Sequence, residues 1–355
     1  MKHFKISSLL LAIGLAGSLA SCSNNDKPDM PEIKPVRKGL YILSEGGFNS
    51  NNSTLTYYDY DKHETVGDQF HAVNDRGLGD TGNDLKTYGS KMYIVITVSS
   101  TLEVTDLKGK SIKKIDFKNG TSALRPRSLA FYKNNAFITS YDGTVAVLDT
   151  ASLTVSKYIT VGNSPEKLAV ANGKLYVANS GGMNYPNYDK TVSVIDLNTL
   201  TEIKKITVAD NPNNVTVDAY GDVYVVSNGN YSTVKPSLAV IDSKTDLVKK
   251  TFEDFRAGSF TISGDQAFFN AGQKVIKVLN LVTETIENDN FITDGTVITT
   301  PYGIAVDEIN NEVFITDAKN YAINGEVFCF DKTTGKKKYT LTTGINPSKV
   351  IFINK

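Results

Sequence analysis

Leu175-Tyr176-Val177 and Val192-Ser193-Val194-Ile195-Asp196 are the two stretches of sequence that decide the fold. In the first stretch an aromatic residue stands between two aliphatic residues. In the second, apolar and polar residues alternate and an aspartate comes last, which is the pattern of a half-buried β-strand that runs into a turn. Both stretches recur along the chain, so the repeat decides the architecture.

The aromatic segment occurs seven times. Its copies are Leu40-Tyr41-Ile42, Met92-Tyr93-Ile94, Ala136-Phe137-Ile138, Leu175-Tyr176-Val177, Val223-Tyr224-Val225, Ala267-Phe268-Phe269 and Val313-Phe314-Ile315. The central aromatic residues are between 39 and 52 residues apart. A repeat of about 45 residues is typical of propeller blades.

The alternating segment follows each aromatic copy and closes on a short acidic or amide residue. These closing residues are Asp59, Asp106, Asp149, Asp196, Asp242, Asn280 and Asp331. Such side chains accept hydrogen bonds from the backbone amides of a turn. Because the residues are periodic, we interpret them as structural turn residues and not as catalytic carboxylates.

The outermost strand of each unit comes next, for example at residues 155–159 and 204–208. The chain then crosses a loop into a strand that often begins with proline, which is tolerated at a strand start. These strands are 126–131, 165–170, 212–217, 301–306 and 347–353, while 84–88 and 258–262 lack the proline. The sequence therefore predicts an all-β fold: a seven-bladed β-propeller with four-stranded antiparallel blades.

The two ends of the repeat region complement each other. The first blade begins at its second strand, at Gly39, and the chain ends with an unpaired innermost strand at 347–353. We predict that this C-terminal strand pairs with the N-terminal blade and closes the ring, which removes exposed sheet edges.

The N-terminus has the features of an export signal. Lys2 and Lys5 precede an apolar stretch at 9–19, which is too short to span a bilayer. The small residues at positions 20 and 21 stand directly before Cys22, as in the lipobox of bacterial lipoproteins. We predict a signal peptide at 1–21 and a lipid on Cys22; the alternative is an ordinary signal peptide with a cysteine near its cleavage site.

The segment after Cys22 is rich in proline and poor in apolar residues, so 22–38 is predicted to be an extended tether and 39–355 the propeller. Several acyl chains together anchor a protein stably at a bilayer. Ser23 in place of Asp resembles Gram-negative lipoproteins that are sorted to the outer membrane, which is the expected location.

Composition excludes several classes of function. Lys plus Arg and Asp plus Glu are 38 each, so no basic excess is available for a nucleic-acid partner. Cys329 lies in an apolar strand pattern and is predicted to be a core residue. The three histidines are scattered, so we predict neither a metal site nor a cofactor.

Four loops between second and third strands are longer than the repeat requires, at 44–53, 179–189, 227–236 and 317–325, and 71–83 is another long loop. They are rich in Asn, Gly, Ser and Tyr, a mixture found on adaptable binding surfaces; the alternative is that they are only long turns. The candidate ligand-binding residues are Phe48, Asn49, Asn51, His71, Arg127, Asn179, Tyr185, Tyr188, Asn228, Tyr231, Asn320 and Tyr321.

Catalysis is not predicted. Glu45, Asn179, Asn228 and Asp317 occupy positions comparable to the metal ligands of gluconolactonase-like propellers. However, other blades carry Ser140 and Asn270 there, which indicates ordinary repeat variation, and no nucleophile–base pair is found. A metal-dependent lactonase-like hydrolase remains the less favoured alternative.

Three stretches of the sequence carry a family resemblance: Gly39-Leu40-Tyr41-Ile42-Leu43-Ser44-Glu45-Gly46, Leu55-Thr56-Tyr57-Tyr58-Asp59 and the repeated segment from Val161 to Asn179. These stretches resemble YncE-like seven-bladed propellers, and in particular the DUF5074 lipoproteins of gut Bacteroidetes. The resemblance implies binding of cobalamin (vitamin B12) or a related corrinoid as a ligand. It also implies delivery to a TonB-dependent outer-membrane transporter of the BtuB type, from a lipoprotein that faces the cell exterior. An interaction scaffold, or a binder of another cargo, remains the alternative.

Overall fold

The computed structural model describes residues 35–355. The predicted signal peptide, the Cys22 lipidation site and the tether through residue 34 lie outside the described residues. The first strand begins at Arg37, two residues before its predicted start at Gly39. Within the described part of the chain, no helix is long and apolar enough to cross a membrane.

Seven four-stranded antiparallel sheets form the fold, which confirms the predicted propeller. Blade one contains β1 (Arg37–Ser44), β2 (Thr54–Asp59) and β3 (Glu64–Val66), followed by the helix α1 (Gln69–Asn74). Blade two contains β4 (Gly82–Tyr88), β5 (Lys91–Ile96), β6 (Thr101–Asp106) and β7 (Ser111–Asp116). A small hairpin, β8 (Lys118–Asn119) with β9 (Ser122–Ala123), precedes blade three, which contains β10 (Pro126–Tyr132), β11 (Asn135–Ser140), β12 (Thr144–Asp149) and β13 (Thr154–Thr160).

The remaining blades follow the same order from the inside outward. Blade four contains β14 (Pro165–Ala171), β15 (Lys174–Asn179), β16 (Thr191–Asp196) and β17 (Thr201–Thr207), and blade five contains β18 (Pro212–Val217), β19 (Asp222–Ser227), β20 (Ser237–Asp242) and β21 (Leu247–Glu253). Blade six contains β22 (Phe260–Ser263), β23 (Gln266–Asn270), β24 (Ile276–Asn280) and β25 (Thr285–Asn288). Blade seven contains β26 (Pro301–Asp307), β27 (Glu312–Asp317), β28 (Asn324–Asp331) and β29 (Lys337–Ile345), and the last strand is β30 (Pro347–Asn354).

The last strand closes the ring, as predicted. β30 pairs antiparallel with β1, with Leu40 opposite Phe352 and Ile42 opposite Val350, and completes blade one as its innermost strand. The side chain of Arg37 reaches from this junction to the buried carboxylate of Asp307 in blade seven, with N–O distances between 2.8 and 3.0 Å. Ring closure therefore combines a ladder of backbone hydrogen bonds with an ion pair.

The core lies between neighbouring blades. One cluster joins Tyr176 and Val194 of blade four to Val223 and Val225 of blade five. The central aromatic residue of all seven repeats is no more than 1% exposed, because this residue fills the space between adjacent twisted sheets and contributes the largest apolar area there. Cys329 is buried in the cluster between blades seven and one, as predicted.

The seven closing residues of the third strands are turn residues, as predicted. Each accepts at least one hydrogen bond from a backbone amide of the following turn. These acceptors are Asp59, Asp106, Asp149, Asp196, Asp242, Asn280 and Asp331. Ionised carboxylates strengthen these bonds, and the amides of the turn lower the pKa of Asp196 in return.

The connection between blades one and two was predicted as a loop and forms a helix instead. Asp68 caps α1 by accepting a hydrogen bond from the amide of His71. Phe70 is fully buried among Tyr41, Leu85 and their neighbours. Burial of this one aromatic side chain anchors a helix of six residues, which has little stability of its own.

Candidate ligand-binding face

One end of the propeller carries the long loops. In a four-stranded antiparallel blade, successive connections alternate between the two ends of the sheet. The loops between second and third strands therefore lie at the same end as the connectors between blades. We call this end the loop face; it carries the long loops at 45–53, 180–190, 228–236 and 318–323.

Three tyrosines meet on the loop face where the loops of blades four and five approach each other. The rings of Tyr185 and Tyr188 are 6.0 Å apart, and the rings of Tyr188 and Tyr231 are also 6.0 Å apart, both pairs edge-to-face. Tyr185 is 74% exposed and Tyr231 is 68% exposed. We call these residues the tyrosine trio; they present a large aromatic surface to solvent.

Local hydrogen bonds hold the loops that carry the tyrosine trio. In blade four, the carboxylate of Asp189 accepts bonds from the Asn163 amide and the Thr191 hydroxyl. In blade five, the side chain of Asn230 accepts bonds from the amides of Ser232 and Val234. The aromatic side chains are therefore held on folded loops, which lowers the entropy cost of binding.

The blade-one loop presents Phe48, which is 75% exposed. Its neighbours Asn49 and Asn51 adopt positive φ angles of 61° and 51°, a conformation that Asn tolerates better than most residues. The backbone amides of both residues donate to the two oxygens of the Asp80 carboxylate, at 3.2 and 3.0 Å. Asp80 thus fixes the loop, a role that sequence reasoning missed.

Tyr321 stands at the blade-seven side of the channel mouth and is 54% exposed. Its ring is 6.1 Å from that of Tyr302, edge-to-face. The side chain of Asn320 is turned back on its own loop, where it accepts bonds from the amides of Ala322 and Ile323.

The innermost strands enclose a channel whose mouth opens on the loop face. The cavity at this mouth, which we call the outer cavity, has a volume of about 480 Å³. All seven blades contribute lining residues, among them Asn83, Arg127, Glu166, Asn213, Phe260, Tyr302 and Lys349.

Arg127 lines the outer cavity and carries a positive charge. Its guanidinium donates to the carboxylate of Glu166 at 2.9 Å and to the side-chain oxygen of Asn83 at 2.6 Å. It also stacks over the ring of Tyr141, 4.6 Å from the centroid. The Arg127–Glu166 pair is nearly neutral as a unit, so these two residues add little net charge to the outer cavity.

Glu45 lies at the same mouth and accepts a hydrogen bond from the Tyr302 hydroxyl at 3.0 Å. Burial raises the pKa of the Glu45 carboxyl, and the bond from Tyr302 opposes that rise only in part. Burial and the nearby Glu45 charge raise the pKa of Tyr302. Tyr302 therefore remains a hydrogen-bond donor across the physiological range.

Two residues that the sequence analysis singled out are used within the fold: the candidate binding residue Asn179, and Asp317 from the lactonase-like set. Asn179 is fully buried; its oxygen accepts from the Gly162 amide, and its amide group donates to the hydroxyls of Thr191 and Ser193. At the equivalent place in blade seven, Asp317 accepts from the amides of Thr299, Thr300 and Lys319. These side chains fasten the connectors between blades and have no free group at the surface.

The structure does not bring His71 to the loop face. It lies on α1, whose residues Gln69 and Asn74 donate to the carbonyls of Lys108 and Gly109 in the β6–β7 turn. That turn joins a third to a fourth strand and so belongs to the opposite end of the propeller. Asn228 is half-buried at the base of the blade-five loop, below Tyr231.

Lysines inside the channel are the main feature that sequence reasoning missed. Lys86, Lys167 and Lys349 project from innermost strands into a second, deeper cavity. The only signal in the sequence is a lysine in each of three strands that are otherwise predicted to be part of the core. Nothing local indicates that the three residues converge.

The described residues form a seven-bladed β-propeller with long loops on one face around an open channel. The chain belongs to the family described as a domain of unknown function, DUF5074, which matches residues 38–352. Among curated proteins, none matches this chain.

Solved structures resemble the chain in fold. Hydrazine synthase of Kuenenia stuttgartiensis matches with a TM-score of 0.61 and 14% identity, covering 75% of this chain and 93% of that one. The computationally designed Ika8 protein matches with a TM-score of 0.57 and 15% identity, covering 88% and 90% of the two chains. A chain of a mitotic checkpoint complex matches with a TM-score of 0.58 and 12% identity, covering 96% and 91%. At such identities the likeness concerns architecture alone.

Proposed function

We propose that this protein is a surface-exposed outer-membrane lipoprotein that binds cobalamin and delivers it to a TonB-dependent transporter of the BtuB type. In this proposal the protein is a binder and not an enzyme. Cys22 carries the lipid, and the proline-rich tether sets the propeller a short distance from the membrane.

The tyrosine trio is the observation that carries the proposal. Cobalamin is large, has little net charge and is fringed with amide groups, so it suits a broad surface of aromatic rings and hydrogen-bonding groups. The exposed rings of Tyr185 and Tyr231 supply such a surface, and Phe48 and Tyr321 are exposed on other loops of the same face. Tyrosine offers contact area at a low entropy cost and keeps a hydroxyl for an amide partner.

A resemblance to one lipoprotein supports the same proposal. The Cys22 motif and the blade-one sequence resemble those of BtuG, a surface lipoprotein that captures cobalamin and passes it to BtuB. The likeness to BtuG suggests the cargo, whereas the tyrosine trio suggests where on this chain the cargo would bind.

Calorimetric titration of the full-length protein in mild detergent with cyanocobalamin tests the proposal. We expect saturable binding with one site per chain. In the double variant Tyr185→Ala/Tyr188→Ala, we expect the Kd to rise at least about tenfold, because aromatic anchors at binding surfaces contribute about 2 kcal/mol or more. The melting temperature should hardly change, since neither ring belongs to the core clusters of blades four and five.

Tyr220→Ala is the matched control. Tyr220 is 58% exposed and lies in the β18–β19 turn at the opposite end of the propeller. Its removal should leave cyanocobalamin binding unchanged. Absence of heat at micromolar wild-type protein would discard the cobalamin proposal.

An interaction scaffold is the second candidate function. The near-neutral composition and the exposed aromatic loops also suit docking on an outer-membrane protein. Stable co-purification with an outer-membrane transporter, without any corrinoid binding, would favour the scaffold or another cargo.

A lactonase-like hydrolase is less favoured. Of the four residues at the comparable positions, Asn179 and Asp317 are committed to backbone amides and Glu45 is bonded to Tyr302. Among residues 35–355, no group of three or more His, Cys, Asp and Glu side chains converges on a common point.

A further inference from the structure

The deeper cavity of the channel has an unusual charge. It lies beyond the outer cavity, has a volume of about 190 Å³, and shares Ser128, Lys167 and Lys349 with it. Its charged lining residues are Lys86, Lys167, Lys349 and a single carboxylate, Asp84. When all three lysines are protonated, three ammonium groups against one carboxylate leave an excess of two positive charges.

The repeat explains how these groups meet. Asp84, Ser128, Lys167, Asn214 and Lys349 are each the third residue of an innermost strand, in β4, β10, β14, β18 and β30 respectively. Equivalent positions of successive blades form a ring around the channel axis. Lys86, two residues after Asp84, points to the same side of β4 because side chains alternate along a strand.

Asp84 cannot neutralise the three lysines. Its carboxylate lies 3.6 Å from the ammonium group of Lys349 and accepts bonds from the Ser128 hydroxyl and the Leu129 amide. Within residues 35–355, neither Lys86 nor Lys167 forms an ion pair. Positive charges that are grouped in a cleft with low-dielectric walls attract anions strongly.

The pKa values of Lys167 and Lys86 are lowered by burial and by the neighbouring lysines. The charge of Lys349 and burial together hold the pKa of Lys167 well below its usual range, while Asp84 opposes that effect and Lys86 adds to it. Burial lowers the pKa of Lys86. Glu166, next to Lys167 in the sequence, is bonded to Arg127 and does not offset the lysines of the deeper cavity.

We infer that the deeper cavity binds a tetrahedral dianion of the phosphate or sulfate class between Lys86, Lys167 and Lys349. Two negative charges would match the excess of two positive charges that the site carries once all three lysines are protonated. Lysine ammonium groups are common partners of phosphate oxygens, and the Ser128 hydroxyl and the Asn214 amide add neutral groups to the wall. The inference is separate from corrinoid binding, which we assign to the loop face.

Sulfate is the first probe because it does not titrate near neutral pH. We expect saturable binding by calorimetry to the full-length protein. Sulfate also stabilises folded proteins non-specifically, so its rise in melting temperature over chloride of equal ionic strength should be larger in the wild type than in a variant that lacks the Lys167 charge. An anion raises the pKa of neighbouring lysines, so binding should also take up protons. Titration in two buffers of different ionisation enthalpy measures that uptake at pH 8.

Lys167→Met keeps most of the length of the side chain and removes its charge. We expect the sulfate Kd to rise about tenfold or more, which corresponds to about 1.4 kcal/mol, because one charged bond to the anion is lost, and proton uptake should fall. Lys114→Met, on the exposed outer strand β7, is the control and should bind like the wild type. If Lys167→Met fails to fold, Lys86→Met provides the same test.

Two further probes distinguish sources of the anion. Tighter binding of glycerol 3-phosphate than of inorganic phosphate would indicate a phosphate monoester whose organic part extends into the outer cavity. Equal or weaker binding would indicate the free anion. The inference is overturned if sulfate and phosphate produce no more heat or stabilisation than chloride, or if Lys167→Met binds them like the wild type.

Discussion

At the scale of the residue, polar side chains in this propeller have two distinct tasks. The turn acids, Asn179 and Asp317 satisfy backbone amides that would otherwise be unpaired at the ends of blades. An unpaired buried amide costs about 1–3 kcal/mol, so the buried side chains of Asn179 and Asp317 contribute to stability. The channel residues Glu45 and Lys167 are instead held in environments that disfavour their charged forms.

Glu45→Gln tests this distinction through the pH dependence of stability. Because the pKa of Glu45 is raised in the folded state, ionisation costs stability as the pH rises from the ordinary value of 4.5 upward. We expect Glu45→Gln to melt at a higher temperature than the wild type at pH 7.5. The difference should vanish near pH 4, where the carboxyl is protonated in both states. Thermal unfolding between pH 4 and 8 measures it, and a constant difference would contradict the prediction.

At the scale of the element, the loops of the loop face are ordered by contacts to other parts of the chain. The blade-one loop is fastened by Asp80 from the connector to blade two, and the blade-four loop by contacts to the connector before β14. The helix α1 depends in the same way on the burial of Phe70. Loops of this length would otherwise sample many conformations and bind weakly.

Asp80→Ala should loosen the blade-one loop while the blades remain intact. The variant removes the acceptor of the Asn49 and Asn51 amides, at an expected cost of about 1–3 kcal/mol. Hydrogen exchange should become faster at these two amides and stay unchanged in the strands of blades three to six. Asp75→Ala, at the end of α1, is the control. Unchanged exchange at Asn49 and Asn51 would show that Asp80 does not hold the loop.

At the scale of the whole molecule, stability depends on closing the ring. Each core cluster is shared by two neighbouring blades, so no blade buries its apolar face alone. The pairing of β30 with β1 joins the two ends of the chain, and the Arg37–Asp307 ion pair links the same place to blade seven. A break at this place exposes the cores on both sides of blade one.

Removal of residues 347–355 should therefore unfold the propeller cooperatively and not merely fray its edge. Removal of Lys355 alone is the control, because its side chain is exposed.

Arg37→Met should weaken ring closure less than the truncation does. It leaves the fully buried carboxylate of Asp307 without its cation, at a cost of roughly 3–5 kcal/mol. Thermal unfolding measures both variants, and full stability of the truncated chain would refute the closure model.

The sequence by itself determined the number of blades, the order of strands within them, the turn residues and the closure of the ring. These features follow from short periodic patterns, since strand alternation and the aromatic repeat are both visible within a few residues. The loops of the candidate face could also be found, because their lengths depart from the repeat.

Only the tertiary structure decided which side chains meet. Tyr188 and Tyr231 belong to different blades, and Lys167 and Lys349 are far apart in the chain, so no local pattern reveals their contact. In the structure, Asn179 is buried and His71 lies away from the loop face, and neither position could be inferred from the sequence. The physical reason is that a propeller brings equivalent positions of distant repeats around one axis, and the resulting cavity and charge are properties of the closed ring.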